Sequence, residues 1–229
     1  PIQTNNYKAS HDGSQDIITA RKYDAFGRIE KEFIPYSFAS NKSYDSNFQS
    51  YSRYTSDYND TDDKYAFYET IYEASPLNRL VKQAAPGHGW RNGSGKESEV
   101  QYGTNSSSEV RNYTVGIGGT LNLSASNYAV NTLYKTTFYD EDDRKTEEFA
   151  DKLGNVVLMR RWNGATQYST YYVYDLHYRL AYVIPPKATA DDGSISSDEL
   201  NQLCYQYQYD HRNRMIKKRI PGSDDFTYL

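Results

Sequence analysis

The residues of this 229-residue chain that could do chemistry are few: four histidines, one cysteine, two tryptophans and some acidic and glycine-rich clusters. His11, His88, His177 and His211 are scattered. His177 and His211 fall in corresponding hairpin loops, and those loops would have to stack before they could share a metal. Asp57, Asp60, Asp62 and Asp63 could hold calcium, but they lack the glycine and terminal glutamate of a calcium loop and read as solvated loop charge. Gly116-Ile117-Gly118-Gly119 has no following lysine and helix to make a phosphate cradle, so it reads as a bulge or turn. Glu147 and Glu148 are adjacent on a strand and point to opposite faces, which denies them a shared acid/base role. Asp140 to Asp143 mark a loop. No Ser/His/Asp order stands out, and Cys204, with no histidine beside it in sequence, reads as a buried strand cysteine. Trp90 and Trp162, with tyrosines around them, are the candidates for stacking on sugars; core and loop packing is their simpler role. The sequence therefore points to no catalytic residue, no metal and no cofactor.

Composition explains why so little chemistry is on offer. With 26 Lys and Arg against 30 Asp and Glu, the net charge of -4 gives no strong field, and nucleic acid is not expected as a partner. Mean hydropathy is -0.90, low enough to suggest disorder on its own. The 25 tyrosines and 8 phenylalanines reverse that reading, since each ring buries roughly 150 to 250 Å² and favours strands. No apolar run reaches the roughly 18 residues of a membrane span. The start at Pro1 reads as a piece of a longer chain whose leader would lie outside it.

The elements that must position these residues come from an internal repeat. Tyr139-Asp140, Tyr174-Asp175 and Tyr209-Asp210 are spaced by 35 residues, with Arg144, Arg179 and Arg214 five positions after each tyrosine. Tyr23-Asp24 leads to Arg28 at the same offset, and Tyr72-Glu73 to Arg79 with two extra residues. Seven residues after four of the arginines stands Pro35, Pro86, Pro186 or Pro221; after Arg144 the position is Asp151, opening a turn of another kind. Each copy reads as strand, Asp-stabilised loop, strand and proline stop. In Tyr205 to Tyr209 the alternation sets Tyr205, Tyr207 and Tyr209 on one face and Gln206 and Gln208 on the other.

The expected fold is all-β: one domain over 1-229, an array of antiparallel hairpins in a curved or spiralling sheet with very little helix. Hairpins are expected near 15-35, 65-86, 133-162, 166-186 and 202-221. One short helix is expected after Ser196, whose spacing to Glu199 is that of a capping box. Two stretches break the rhythm. Residues 37-63 read as a long inserted loop, and 88-108 as a mobile one in which Glu99 to Tyr102 could pair with Glu109 to Tyr113.

Tyr174-Asp175-Leu176-His177-Tyr178-Arg179-Leu180 and Tyr23-Asp24-Ala25-Phe26-Gly27-Arg28-Ile29 resemble the YD repeat of RHS proteins. That family spans bacterial polymorphic toxins, wall-associated proteins, shells of insecticidal toxin complexes and animal teneurins. Leu133 to Trp162 is most similar to versions in large secreted proteins of gut Bacteroidetes. The resemblance implies a non-catalytic segment of a β-sheet shell, extracellular or at a bacterial cell surface. Its partners would be neighbouring repeats and, in some members, an enclosed C-terminal toxin domain; surface glycans are the alternative partner. The family's self-cleaving core region is absent from this sequence.

Overall fold

A computed structural model describes residues 2–39, 43–50, 53–54, 64–223 and 225–228. The chain divides into two compact units, Pro1–Val100 with Tyr139–Asp143, and Gln101–Phe138 with Arg144–Leu229. The described structure is antiparallel β throughout, with one seven-residue α-helix and two short 3-10 turns.

The first unit holds β1 (Gln3–Asn6), β2 (Gln15–Tyr23), β3 (Ile29–Phe33), β4 (Tyr36–Ala39), β5 (Phe67–Tyr72), β6 (Leu80–Ala84) and the start of β7 (Ser98–Thr104). They pair in the order β1-β2-β3-β5-β6-β7. β2 is shared: Gln15 to Ile18 pair with β4 and Arg21 to Tyr23 with β3. The expected loop over 37-63 thus begins as a strand, because Ser37, Phe38 and Ala39 continue the pairing with β2. Its described residues also build the core. Phe48 and Tyr54 are buried beside Phe33 and Tyr36, and the Phe33–Phe48 and Tyr36–Tyr54 ring pairs meet edge to face at 5.5 and 5.1 Å. Buried Asp45 fixes this stretch by accepting hydrogen bonds from the Tyr36 hydroxyl at 2.8 Å and the Asn47 amide at 2.9 Å. Asp57, Asp60, Asp62 and Asp63 lie outside the described residues.

The second unit contains β8 (Arg111–Asn112), β9 (Ser126–Asn127), most of β10 (Tyr134–Tyr139), β11 (Lys145–Ala150), β12 (Val156–Asn163), β13 (Thr166–Tyr174) and β14 (Leu180–Ile184). Helix α1 (Ser197–Leu203), β15 (Tyr205–Tyr209), β16 (Met215–Arg219) and β17 (Thr227–Tyr228) complete it. β10 to β17 pair in chain order, and β8 and β9 form a separate two-stranded sheet. Arg111 and Asn112 pair with Asn127 and Ser126, so Glu109 to Tyr113 is not the hairpin partner of Glu99 to Tyr102. β7 pairs with β6 instead, through Lys82↔Glu99 and Gln83↔Ser98. The mobile stretch expected at 88-108 is held by the Glu97 carboxylate, which accepts the Gly93 and Gly95 amides, and by Asn105.

One face of the second unit's sheet is covered. Val110, Tyr113, Val115, Leu121, Ala188, Ala190, Ile195 and Cys204 pack with Phe149, Leu158, Tyr171, Val173 and Ile184 of the strands. Helix α1 starts as its sequence requires: Ser196 Oγ accepts the Glu199 amide at 3.1 Å, and Glu199 Oε2 accepts the Ser196 amide at 2.9 Å. Helix and strand then meet at Gln206, which is buried and donates to Leu200 O at 2.9 Å. The inward side of β15 therefore belongs to a glutamine, while Tyr205 faces outward.

Candidate functional site

The repeated Tyr-Asp…Arg residues form one structure built several times. Asp24 Oδ1 accepts the amides of Phe26 and Arg28, each at 2.9 Å, while Oδ2 accepts Arg28 Nε at 2.7 Å. Asp175 does the same with His177 (2.8 Å), Arg179 (3.1 Å) and Arg179 Nε (2.7 Å). Asp210 repeats it with Arg212 (2.8 Å), Arg214 (2.9 Å) and Arg214 Nε (2.8 Å). The aspartate amide returns a bond to the arginine carbonyl at 2.9 Å in all three. The residue before each arginine, Gly27, Tyr178 or Asn213, takes a positive φ, as a three-residue hairpin loop with a bulge requires. Register shifts just before each aspartate, so Tyr23, Tyr174 and Tyr209 pair with Ile29, Leu180 and Met215.

The other turns are variants of this one. Glu73 spans its longer loop with a longer side chain, and Arg79 Nε and Nη2 meet its carboxylate at 2.9 and 2.7 Å. Asp140 accepts the Asp142 amide at 2.9 Å, and Asp143, before Arg144, has φ 59. The Asp151 turn is of the same kind as the others. Its carboxylate accepts the Leu153 and Asn155 amides at 2.8 and 2.9 Å and Asn155 Nδ2 at 2.9 Å, and Gly154 holds the positive φ. Ala150 stands where the tyrosine would be and Asn155 where the arginine would be, and for that reason the Tyr-Asp…Arg pattern misses this turn.

Within each unit, neighbouring turns are hooked together by the arginine. Arg28 Nη1 donates to Asn78 Oδ1 at 2.8 Å, and its guanidinium lies 4.4 Å from the ring centre of Tyr72, the tyrosine of the next copy. Arg179 reaches Asn213 Oδ1 at 3.1 Å and Asp210 O at 3.0 Å, and stands 4.9 Å from the Tyr209 ring centre. Tyrosine hydroxyls tie further strands: Tyr174 donates to Val156 O at 3.0 Å and Tyr209 to Leu180 O at 2.9 Å. Tyr23, Tyr72 and Tyr139 are half-buried like them.

Ionisation follows from this geometry. At Asp210 the Arg214 amide and then its guanidinium hold the carboxyl down at about 2, and Arg79 and Ser75 hold Glu73 at about 2. At Asp24 and Asp175 burial pushes the carboxyl up, but the amide and guanidinium of the paired arginine outweigh it and leave a net lowering. A lowered carboxyl stabilises the fold fully above its unfolded value near pH 4, and that stabilisation disappears as pH falls through the folded value. The melting temperature is therefore expected to drop between about pH 4 and pH 2. Asp24, Asp175 and Asp210 changed together to asparagine should flatten that drop, and an unaltered profile would show that the turns do not supply it.

Tyr178 is the one bulky residue among these positive-φ positions, at φ 58, and its ring is exposed. Tyr178→Asn should remove backbone strain and raise stability by about 0.5–1 kcal/mol. A thermal melt should move up by about 2–3 °C. A lower melting temperature would mean the ring makes a contact that matters.

The remaining candidates fall apart as sites. His177 and His211 are exposed and sit two and one residues after their aspartates, and no cluster of three or more His, Cys, Asp or Glu suited to a metal occurs among the described residues. Burial pushes the Cys204 thiol up to about 12, which makes it a poor nucleophile; it ends α1, one residue before β15. Gly116 to Gly119 form a turn closed by the Val115–Leu121 bridge. A cavity of about 340 Å³ lies between that turn and the Asp175 turn, but Asp175 and Arg179 on its wall are already engaged with each other. Trp90 is exposed in a turn, with its amide on Gly87 O at 3.0 Å. Trp162 is half-buried, with Lys145 Nζ 4.4 Å from its ring centre.

A different group was invisible in the sequence. Glu147, whose side chain is 4% exposed, meets Lys145 at 2.6 Å and Lys135 at 3.1 Å, and Lys135 meets Glu109 at 2.6 Å. Arg160 donates to Glu109 O, and both it and Lys135 lie 5.2 Å from the ring centre of fully buried Phe149. Glu147 and Glu148 do face opposite ways, as alternation requires. Burial raises the cost of every charge here unless all are paired.

Residues 1–104 match the family described as Domain of unknown function (DUF6443). No curated protein matches the chain. Among solved structures, a chain of "Crystal Structure of TcdB2-TccC3-Cdc42" is similar to it, at 13% identity and a TM-score of 0.44. The match covers 94% of this chain and 11% of that one.

Proposed function

We propose that this chain is a structural segment of a larger YD-repeat protein of the RHS type, secreted or held at a bacterial cell surface, whose work is done by the sheet itself. One observation carries the reading: the charged residues recurring at repeat spacing spend their hydrogen bonds on the turns. Asp24, Asp175 and Asp210 each serve two amides and a guanidinium, and Arg28 and Arg179 bind the next turn. Repeats joined in this way are stabilised by their neighbours, as in other one-dimensional arrays. The segment's partners are then the adjacent repeats, with a C-terminal domain of the full protein as the cargo such a sheet would enclose.

Limited trypsin digestion of the full-length protein tests this. The polypeptide following the repeats should resist cleavage, and Arg28→Met with Arg179→Met should make it sensitive. Equal digestion of the two proteins would count against a protective shell.

A further inference from the structure

The net charge of -4 on the whole chain hides a local excess of the opposite sign. Residues 205–219, which make up β15, its turn and β16, carry Arg212, Arg214, Lys217, Lys218 and Arg219 against a single acid, Asp210. That one carboxylate is spent on Arg214 at 2.8 Å. Arg212, Lys217 and Lys218 form no ion pair with any described residue, and Lys217 rests on the Tyr228 ring instead. Their charge is free for an outside partner.

Apolar residues stand beside these cations where the core has no use for them. Ile117 is 96% exposed between Gly116 and Gly118, and Leu176 and Tyr178 at the tip of the Asp175 turn are 69% and 63% exposed. Met215 and Ile216 open β16 and are exposed as well. The parts are held together. Ile117, Leu176 and Ile216 lie around the 340 Å³ cavity with Tyr207, whose strand partner is Lys218, and Arg179 ties the Asp175 turn to the next by its bond to Asp210 O at 3.0 Å. Every member belongs to the second unit. An exposed aliphatic cluster rimmed by unpaired cations calls for a partner that is anionic and apolar at once.

We propose that this end of the second unit docks on an anionic phospholipid bilayer. Shape and chemistry separate lipid from other polyanions. Ile117 and Leu176 project from tight turns, so a folded acidic protein would need a hole formed for each, while the boundary between headgroups and acyl chains yields to any projecting aliphatic group. Nucleic acid would be met by aromatic platforms between the cations, and the projecting residues here are mainly aliphatic. At a bilayer Arg212, Lys217 and Lys218 reach the phosphates, and Ile117, Leu176 and Ile216 enter the acyl boundary. Tyr178 lies at the water interface, where an amphipathic ring is favoured. Such docking is peripheral and reversible. The surface is independent of the shell reading.

Flotation of the chain with vesicles of equal parts phosphatidylglycerol and phosphatidylcholine tests the proposal, with vesicles of phosphatidylcholine alone as the comparison. The protein should float with the anionic vesicles and stay behind with the neutral ones, and added salt should release it. Arg212→Gln with Lys218→Gln should weaken binding about twentyfold, at roughly fivefold for each cation lost. Ile117→Ser with Leu176→Ser should weaken it about tenfold or more with the thermal transition kept, and Leu176→Ser alone serves if the pair does not fold. Trp90→Ala, which removes an exposed ring of the first unit, should leave binding unchanged. No flotation with the anionic vesicles overturns the proposal, and so does flotation that neither pair of substitutions weakens or that Trp90→Ala weakens equally. Binding of soluble polyglutamate without flotation would assign the cations to an acidic protein. Self-association abolished by Ile117→Ser with Leu176→Ser, without flotation, would assign the tips to a second copy of the chain. Either result would replace the bilayer as the partner.

Discussion

Replacing Glu147 by glutamine is expected to cost about 3 kcal/mol of stability, because it leaves buried positive charge without its partner. The wild-type carboxylate serves Lys145 at 2.6 Å and Lys135 at 3.1 Å, with Arg160 at 3.9 Å. After the change Lys135 and Arg160 retain Glu109, while Lys145 loses the carboxylate it pairs with. Both lysines retain some contact with water, which holds the loss near the lower end of the range for a broken buried pair. Urea denaturation should show a lower midpoint at unchanged slope. Changing Glu147 and Lys135 together to methionine should recover part of the loss, since an apolar pair carries no desolvation debt. A loss under about 0.5 kcal/mol from the glutamine variant would show that the cluster is solvated.

Asn105→Ala should be nearly as damaging, at roughly 2–4 kcal/mol. Asn105 is 1% exposed, and its Oδ1 accepts the amides of Thr132 at 3.0 Å and Leu133 at 2.8 Å while Nδ2 donates to Ala129 O at 2.8 Å. Alanine would leave the buried Leu133 amide and the half-buried Thr132 amide without their acceptor just where Leu133 enters the core, while Ala129 O keeps the Thr132 hydroxyl. Amide exchange at Thr132 and Leu133 should accelerate along with the loss of stability. Unchanged exchange at both would mean that water replaces the side chain.

These two residues show where sequence reading stops. The turns were legible because their chemistry is local: an aspartate bonds amides two and four residues ahead, and that leaves a fixed spacing in the chain. The capping box at Ser196 and Glu199 is legible for the same reason. Asn105 acts across 24 to 28 residues, and Glu147 meets Lys135 and Arg160 on other strands, 12 and 13 residues away, so no local spacing marks either of them. Residues 37-39 looked like loop because serine and alanine have little strand character, yet β2 had backbone groups left to pair beyond β3. The Asp151 turn escapes the pattern because alanine holds the tyrosine's place and asparagine the arginine's, although the carboxylate and the glycine do the same work. Alternation gave the two faces of β15 correctly. Which face is buried depended on α1, whose Leu200 carbonyl takes Gln206 inward.

The hook from one turn to the next is what joins the hairpins into an array, and a double-mutant cycle at Arg179 and Tyr209 measures it most directly. Arg179→Met and Tyr209→Leu each remove one side of the contact, and the double variant removes both. The stacked guanidinium, with its bonds to Asn213 and Asp210, predicts a coupling energy of about 0.5–1 kcal/mol by denaturant unfolding. Strict additivity of the two single effects, within about 0.3 kcal/mol, would show that adjacent turns are stabilised separately and would contradict the interlocked array.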